Sequence, residues 1–93
     1  MTITEPEGSA DAELLKRHLT GSEPDAFAQL VRRHLPMVLG AARRQTDGDA
    51  AAAEDIAQEV FVRLAQQARQ LTHHSCLAGW CFVTTRNVSL THQ

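Results

Sequence analysis

The sequence is poor in aromatic residues and in cysteine, and it has no acidic residue over positions 60–93. Tyrosine is absent, aromatic residues make up 4% of the chain, and there are two cysteines. Two cysteines do not supply the disulfide framework of a small secreted domain, so we expect a reducing, cytoplasmic environment. No apolar run approaches the roughly 18 residues of a membrane-spanning helix, and residues 1–9 lack the apolar segment of a signal peptide. The sequence therefore predicts no membrane partner.

The length of 93 residues allows one small domain. Hydrophobic residues make up 43% of the chain and charged residues 22%, which is typical of a folded globular protein rather than a disordered one. A chain of this size has no room for a large catalytic pocket between two lobes. We therefore expect a binding module rather than an enzyme, with no cofactor.

The charge is divided unevenly along the chain. Residues 1–59 hold all eleven acidic residues and six of the nine basic ones, whereas residues 60–93 hold three arginines and no acid. Such an asymmetry suggests two different surfaces, of which the second tolerates a polyanion. An uneven distribution by chance in a short segment explains the charges equally well.

The hydrophobic pattern is helical almost throughout. Residues 1–9 are predicted to be a flexible tail, and Ser9 is a candidate cap for a short helix over about 10–20. A second helix follows Asp25, with a kink expected near Arg33 because Pro36 removes a backbone donor. Asp49 is expected to cap a third helix, and a fourth follows residues 72–75. The predicted fold is an all-α bundle of three main helices plus a short N-terminal one, over residues 10–93.

The third helix carries the longest apolar stripe, and a polar flank runs beside it. The predicted stripe consists of Ala53, Ile56, Ala57, Val60, Phe61, Leu64, Ala65 and Ala68. Asp55, Gln58, Glu59 and Val62 recur at three- and four-residue steps and share the flank. Periodicity alone is explained by a solvated face, in which Glu59 pairs with Arg63. The sharper interpretation is a docking surface for a partner helix.

The segment between the third and fourth helices offers a second set of candidates. His73, His74, Cys76 and Cys81 are ligands of soft metals, but their spacing matches no usual zinc pattern. An exposed loop with a buried Cys81 explains them better, so no metal site is predicted. Trp80 is interpreted as a core residue.

The outer face of the fourth helix carries an arginine and an amide. Its predicted members are Val83, Arg86, Asn87 and Leu90. Arg86 suits a phosphate and Asn87 suits a base edge, although ordinary surface residues explain this face as well.

Three segments together resemble region 2 of the extracytoplasmic-function sigma factors, which belong to the sigma-70 family of bacterial transcription initiation factors. The segments are residues 25–35, residues 53–61 (AEDIAQEVF) and residues 77–87, with Trp80 and the pair Arg86-Asn87 in the last. The resemblance covers about residues 10–92. Its most specific element is the acidic Asp-x-x-Gln-Glu-x-Phe segment, followed at the right distance by Trp and Arg-Asn.

The resemblance implies a helical domain that docks on the clamp helices of core RNA polymerase and reads the promoter −10 element as single-stranded DNA. It assigns polymerase binding to Asp55, Gln58, Glu59 and, at the edge, Val62. It assigns −10 recognition to the segment before the fourth helix and to that helix's outer face; these residues are Leu71, Thr72, His73, His74, Ser75, Cys76, Arg86 and Asn87. A flipped base needs polar groups at its edge, which Asn87 supplies.

Two further expectations and two alternatives accompany this interpretation. Sigma factors of this group have a second, helix-turn-helix domain (region 4), which this sequence lacks, so we expect a fragment of a longer chain or a natural truncation. An anti-sigma factor is a further expected partner, and the oligomeric state is undetermined. The alternatives are a helical protein–protein module that does not read DNA, and a small metal-binding domain that uses His73, His74 and Cys76.

Overall fold

The chain forms four α-helices within residues 7–73 and 76–92, the part that the computed structural model describes. They are α1 (Glu7–Thr20), α2 (Ala26–Gln45), α3 (Ala50–Leu71) and α4 (Leu77–His92). No strand occurs in these ranges. The predicted all-α fold is confirmed, with an N-terminal helix of 14 residues against 20, 22 and 16 for the others.

The first helix is longer than its sequence pattern predicts. It begins at Glu7, so Ser9 lies within the helix and the prediction that Ser9 caps it is wrong, since a capping residue has a non-helical backbone. At the other end, Gly21 has φ +70° and its N–H donates to the His18 carbonyl, while the Ser22 N–H donates to the Arg17 carbonyl. This pair of bonds is a Schellman motif, which requires the left-handed conformation that glycine adopts without strain. The predicted tail covers residues 1–9; the prediction is wrong for residues 7–9, which belong to α1, and residues 1–6 lie outside the described residues.

The second helix runs unbroken through its proline. Pro36 lies at an exposed position inside α2, and the helix continues to Gln45. Arg43 and Arg44 occupy its last turn, as predicted, where cations favour the negative end of the helix dipole. The kink near Arg33 stays a prediction.

The third helix follows its predicted start and its predicted buried stripe. The Asp49 carboxylate accepts a hydrogen bond from the Ala52 N–H at 3.1 Å, which confirms it as the N-cap. The buried residues of α3 are Ala53, Ile56, Ala57, Val60, Phe61, Leu64, Ala68 and Leu71. Ala65 is exposed, so its assignment to the stripe is wrong, because it lies at the solvent edge of the arc that faces the other helices.

The fourth helix completes the core. Helices α2, α3 and α4 pack against one another in every pairing, and α1 packs mainly on α2. Leu77, Cys81 and Val88 are buried against the other helices, and Trp80 packs against this core while staying partly exposed. Thr85 and Ser89 are also buried, and their hydroxyls donate to carbonyls one turn earlier at 2.6 and 2.7 Å. These bonds satisfy polar groups that burial otherwise destabilises. None of the described helices combines the length and apolar character that a membrane crossing requires.

Candidate functional site

The polar flank of α3 is a surface, as its spacing predicts. Asp55, Gln58, Glu59 and Val62 are all exposed, while Ile56 and its fellow stripe residues face the core. Val62 keeps 44% of its surface accessible, a large exposure for a branched apolar side chain on a packed helix. The flank therefore presents two carboxylates, an amide and an apolar group side by side to solvent. We call these four residues the α3 flank.

The two carboxylates of the α3 flank differ in their local partners. Glu59 Oε1 lies 3.3 Å from Arg63 Nε, the predicted ion pair between side chains one turn apart. Both side chains are more than a third exposed, so this pair contributes only a few tenths of a kcal/mol, on the order of 0.3–0.5. Asp55 makes no hydrogen bond or ion pair with any residue of the described ranges. Neither carboxylate is sealed in the core, so both are accessible to a partner.

An apolar groove adjoins the α3 flank. Its volume is about 500 Å³, and its walls come from α2 and α3: Phe27, Val31, Leu35, Leu39, Glu54, Ala57, Gln58, Phe61 and Val62. Gln58 and Val62 belong to both the groove and the α3 flank. The two features thus form one continuous surface with a polar edge and an apolar floor. Phe27, Val31, Leu35 and Leu39 are only half-buried, so the groove leaves apolar surface of α2 accessible to a partner.

The segment between α3 and α4 holds both buried and exposed residues. Leu71 is buried at the end of α3 and anchors the segment in the core, and its assignment to −10 recognition stays a prediction. The Thr72 hydroxyl donates to the Arg69 carbonyl at 2.8 Å, and His73 is exposed. Cys76 is exposed, and its sulfur accepts from the Gly79 N–H at 3.3 Å at the start of α4. The predicted positions His74 and Ser75 lie outside the described residues.

The outer face of α4 matches its predicted pattern. Val83, Arg86, Asn87 and Leu90 are all exposed, and Val83 and Leu90 are among the most exposed apolar residues of the described chain. The side chains of Arg86 and Asn87 bond to no residue of the described ranges. An arginine, an amide and two apolar groups therefore face solvent on one side of the helix. Such a face can contact a phosphate, a base edge and a base plane.

The candidate metal ligands do not assemble within the described part of the chain. No group of three or more His, Cys, Asp or Glu side chains comes together there in a way that holds a metal. Cys81 is buried in the core, as predicted, while Cys76 is exposed. Burial raises the pKa of the Cys81 thiol to about 12, and the nearby charges of Asp11 and Cys76 add to the shift. Cys81 is therefore a neutral core residue at physiological pH.

A buried polar cluster joins α1 to α2, and the sequence analysis missed it. Asp11 and His34 are 2% and 3% exposed, and Asp11 Oδ2 lies 3.1 Å from His34 Nε2. Arg33 Nε lies 3.0 Å from Asp11 Oδ1, close enough for an ion pair but without the alignment of a hydrogen bond. Helical spacing could have indicated the burial of Asp11, because Asp11 precedes the apolar Leu15 by four residues and so lies on the same face of α1. The cluster positions α1 against α2 rather than facing a ligand.

The architecture defines a small all-α module whose exposed features are a carboxylate-bearing helix flank and a separate arginine-amide face. The family model for sigma-70 region 2 matches residues 30–93, which span most of α2 and all of α3 and α4. The chain therefore belongs to the sigma-70 region 2 family. No curated protein and no solved structure matches the chain. Membership supports binding to RNA polymerase and promoter recognition as the general role, and the family is not an enzyme class.

Proposed function

We propose that this protein is the region 2 module of a bacterial, cytoplasmic, extracytoplasmic-function sigma factor. It docks on the clamp helices of core RNA polymerase through the α3 flank and reads the melted −10 element with the segment before α4 and the outer face of α4. The observation that carries the proposal is the α3 flank itself. Asp55 has no partner among the described residues, Glu59 has only a weak one, and Val62 is exposed where the α3 flank meets the apolar groove.

The α3 flank has the chemistry of a docking surface for a basic helix. Exposed carboxylates accept charge-assisted hydrogen bonds from arginine or lysine side chains of a partner. Gln58 adds a neutral donor and acceptor, and Val62 with the groove adds apolar area that a partner can cover. Interfaces of this kind draw their affinity from buried apolar anchors and their orientation from the charged groups around them. The same surface is available to an anti-sigma factor, which we include as a second partner that competes with polymerase.

The −10 reading surface combines an exposed loop with the outer face of α4. Arg86 is placed to contact a phosphate, and the Asn87 amide is able to pair with the edge of an unstacked base. Thr72, His73 and Cys76 precede α4 in sequence, and the buried Leu71 anchors this segment. His74 and Ser75 complete the proposed surface by sequence alone. Because no acidic residue follows Glu59, residues 60–93 carry no negative side chain that would repel DNA.

The test is a selection for bound sequences, since the promoter is unknown. The chain in complex with core polymerase is mixed with single-stranded oligonucleotides randomised over ten positions, and the bound fraction is sequenced. The proposal expects a preferred short motif for wild type and a weaker preference for Asn87→Ala, with clamp binding unchanged. Gln66→Ala, which truncates an exposed amide of α3, serves as the matched control.

Two outcomes separate the proposal from the alternatives. Clamp binding with no enriched motif supports a protein–protein module that does not read DNA. Stoichiometric zinc binding by purified protein, lost in His73→Ala, supports the metal-binding domain and contradicts our assignment of this segment. An unchanged motif in Asn87→Ala contradicts direct reading by that residue.

A further inference from the structure

Four arginines of the described chain have no carboxylate partner, and two of them meet in one cleft. Arg17, Arg32, Arg33 and Arg63 each form an ion pair with an acidic side chain. The side chains without any such partner in the described ranges are Arg43, Arg44, Arg69 and Arg86. Arg44 in the last turn of α2 and Arg86 in α4 line a cleft of about 30 Å³, together with Ala41, Gln45 and Phe82. Two cations at one site repel each other, so this arrangement favours a bound anion.

The dimensions of the cleft restrict what that anion is. A volume of about 30 Å³ is the space of roughly one water molecule, so the cleft cannot enclose a nucleotide or another whole small molecule. It has room for one oxygen of a phosphate whose remaining atoms stay outside. An extended polymer that presents phosphates along a surface fits this requirement.

Phe82 adds a second type of contact beside the arginines. It is 47% exposed, although an aromatic ring of this size on a packed helix is usually covered. Phe82 and Arg86 are four residues apart on α4, so they share a face and both border the cleft. Exposed aromatic rings next to unpaired cations are the usual means of holding single-stranded nucleic acid, because bases stack on the ring while arginines neutralise the backbone.

We propose that Arg44, Phe82 and Arg86 form a clamp for the backbone of single-stranded DNA, in which both arginines contact one phosphate and Phe82 stacks on an adjacent base. This inference rests on the proposed DNA reading and adds to it a contribution from α2. Arg86 is next to Asn87, so a strand whose base is read by Asn87 continues into the cleft. The clamp fixes the position of the strand, whereas Asn87 supplies the discrimination between bases.

An arginine at position 44 also interacts favourably with the helix dipole of α2, independently of DNA. A variant of Arg43 separates this effect from a contact with DNA. Arg43 is also exposed, has no carboxylate partner among the described residues and lies in the same last turn of α2, but it does not line the cleft. Arg43→Gln and Arg44→Gln remove the same charge from the same helix end. A difference between the two variants in DNA binding therefore comes from the cleft.

The experiment measures the affinity of the 93-residue chain for a fluorescent single-stranded oligonucleotide that carries the selected motif, at several salt concentrations. Each phosphate contact with single-stranded DNA contributes about 0.7 to the slope of log K against log salt. Because Arg86 still contacts the shared phosphate in Arg44→Gln, we expect this variant to bind more weakly than Arg43→Gln at the lowest salt concentration but to keep its slope. The double variant Arg44→Gln/Arg86→Gln leaves that phosphate without a cation, so we expect it to lower the magnitude of the slope by about 0.7. Phe82→Ala is expected to weaken binding about 5- to 150-fold with the slope unchanged. All three side chains are exposed, so the thermal midpoint, followed by circular dichroism, is expected to stay within a few degrees.

A second arm identifies the contacted phosphate. Neutral methylphosphonate linkages are placed one at a time along the oligonucleotide, and one position is expected to weaken wild-type binding but to have no further effect on the double variant Arg44→Gln/Arg86→Gln. Equal affinities for Arg43→Gln and Arg44→Gln, with wild type binding the motif, overturn the clamp and leave the −10 proposal standing. Failure of wild type to bind any single strand overturns the proposed DNA reading, and the clamp with it.

Discussion

The buried pair Asp11–His34 makes the position of α1 depend on a single carboxylate. Asp11→Asn keeps the shape of the side chain but removes its charge, so His34 loses its charged partner and the nearby Arg33 loses one ion-pair contact. Breaking a buried pair by removing one partner costs about 3–5 kcal/mol. The carboxylate's own desolvation cost offsets part of this loss, and Arg33 is 37% exposed and can turn to water. We therefore expect Asp11→Asn to destabilise the protein by about 2–3 kcal/mol.

That loss is large for a domain of this size. A stability of about 0.05–0.15 kcal/mol per residue corresponds to about 5–14 kcal/mol for 93 residues. A loss of about 2–3 kcal/mol lowers the thermal midpoint by roughly 10–20 °C. Urea denaturation, followed by the circular dichroism of the helices, measures the free energy of unfolding. The slope of this free energy against urea concentration reports whether unfolding stays cooperative.

Two controls decide whether the buried pair is the cause. Glu13→Gln removes an acid from the same helix, where Glu13 pairs at the surface with Arg17, and we expect a change within about 0.5 kcal/mol. A double-mutant cycle with His34→Gln measures the coupling between the partners, which we expect to exceed about 1 kcal/mol. A loss below about 0.5 kcal/mol for Asp11→Asn, or additive effects in the cycle, would refute this reasoning.

Two further predictions concern the helix cap and the thiols. Asp49→Ala removes the N-cap of α3 and is expected to lower the free energy of unfolding by about 1 kcal/mol, measured by urea denaturation. Asp47→Asn is the control: it lies at an exposed site with φ +54°, which asparagine tolerates, and is expected to be nearly neutral. Equal effects of the two variants would contradict the capping role. At pH 8, iodoacetamide is expected to alkylate Cys76 and spare Cys81, whose pKa of about 12 and burial protect it, with mass spectrometry as the measurement. Rapid alkylation of Cys81 at pH 8 would contradict its burial in a closed core. Because folding raises the pKa of Cys81, the stability that this thiol contributes is complete below pH 9 and is lost as the pH rises from about 9 to 12.

The helices were predictable because their signals are local. Asp49 before an alanine-rich segment and apolar residues at three- and four-residue steps fix the start and the buried face of α3 without any knowledge of its neighbours. The exposure of Asp55 and Glu59 followed from the same periodicity. The start of α1 was less predictable, since residues 7–9 (Glu-Gly-Ser) contain a strong helix breaker that the fold nevertheless includes in the helix.

The remaining features depend on which helices meet. Asp11 was not recognised as buried because its partner His34 lies 23 residues away on another helix. The cleft between Arg44 and Arg86 likewise requires the packing of α2 on α4, which periodicity does not specify. Leu71 has the sequence position of a loop residue, and only its contacts with the core show that it is buried.

The most direct test of the proposed function is the affinity of this protein for the clamp helices of core RNA polymerase. We expect the double variant Asp55→Asn/Glu59→Gln, which keeps both side-chain shapes, to weaken binding about 10- to 100-fold, because each carboxylate loses a charge-assisted hydrogen bond. Asp47→Asn removes an exposed acid from the turn before α3 and is expected to leave the affinity within about twofold of wild type. A double variant that binds the clamp helices as tightly as wild type would contradict the assignment of the α3 flank to polymerase.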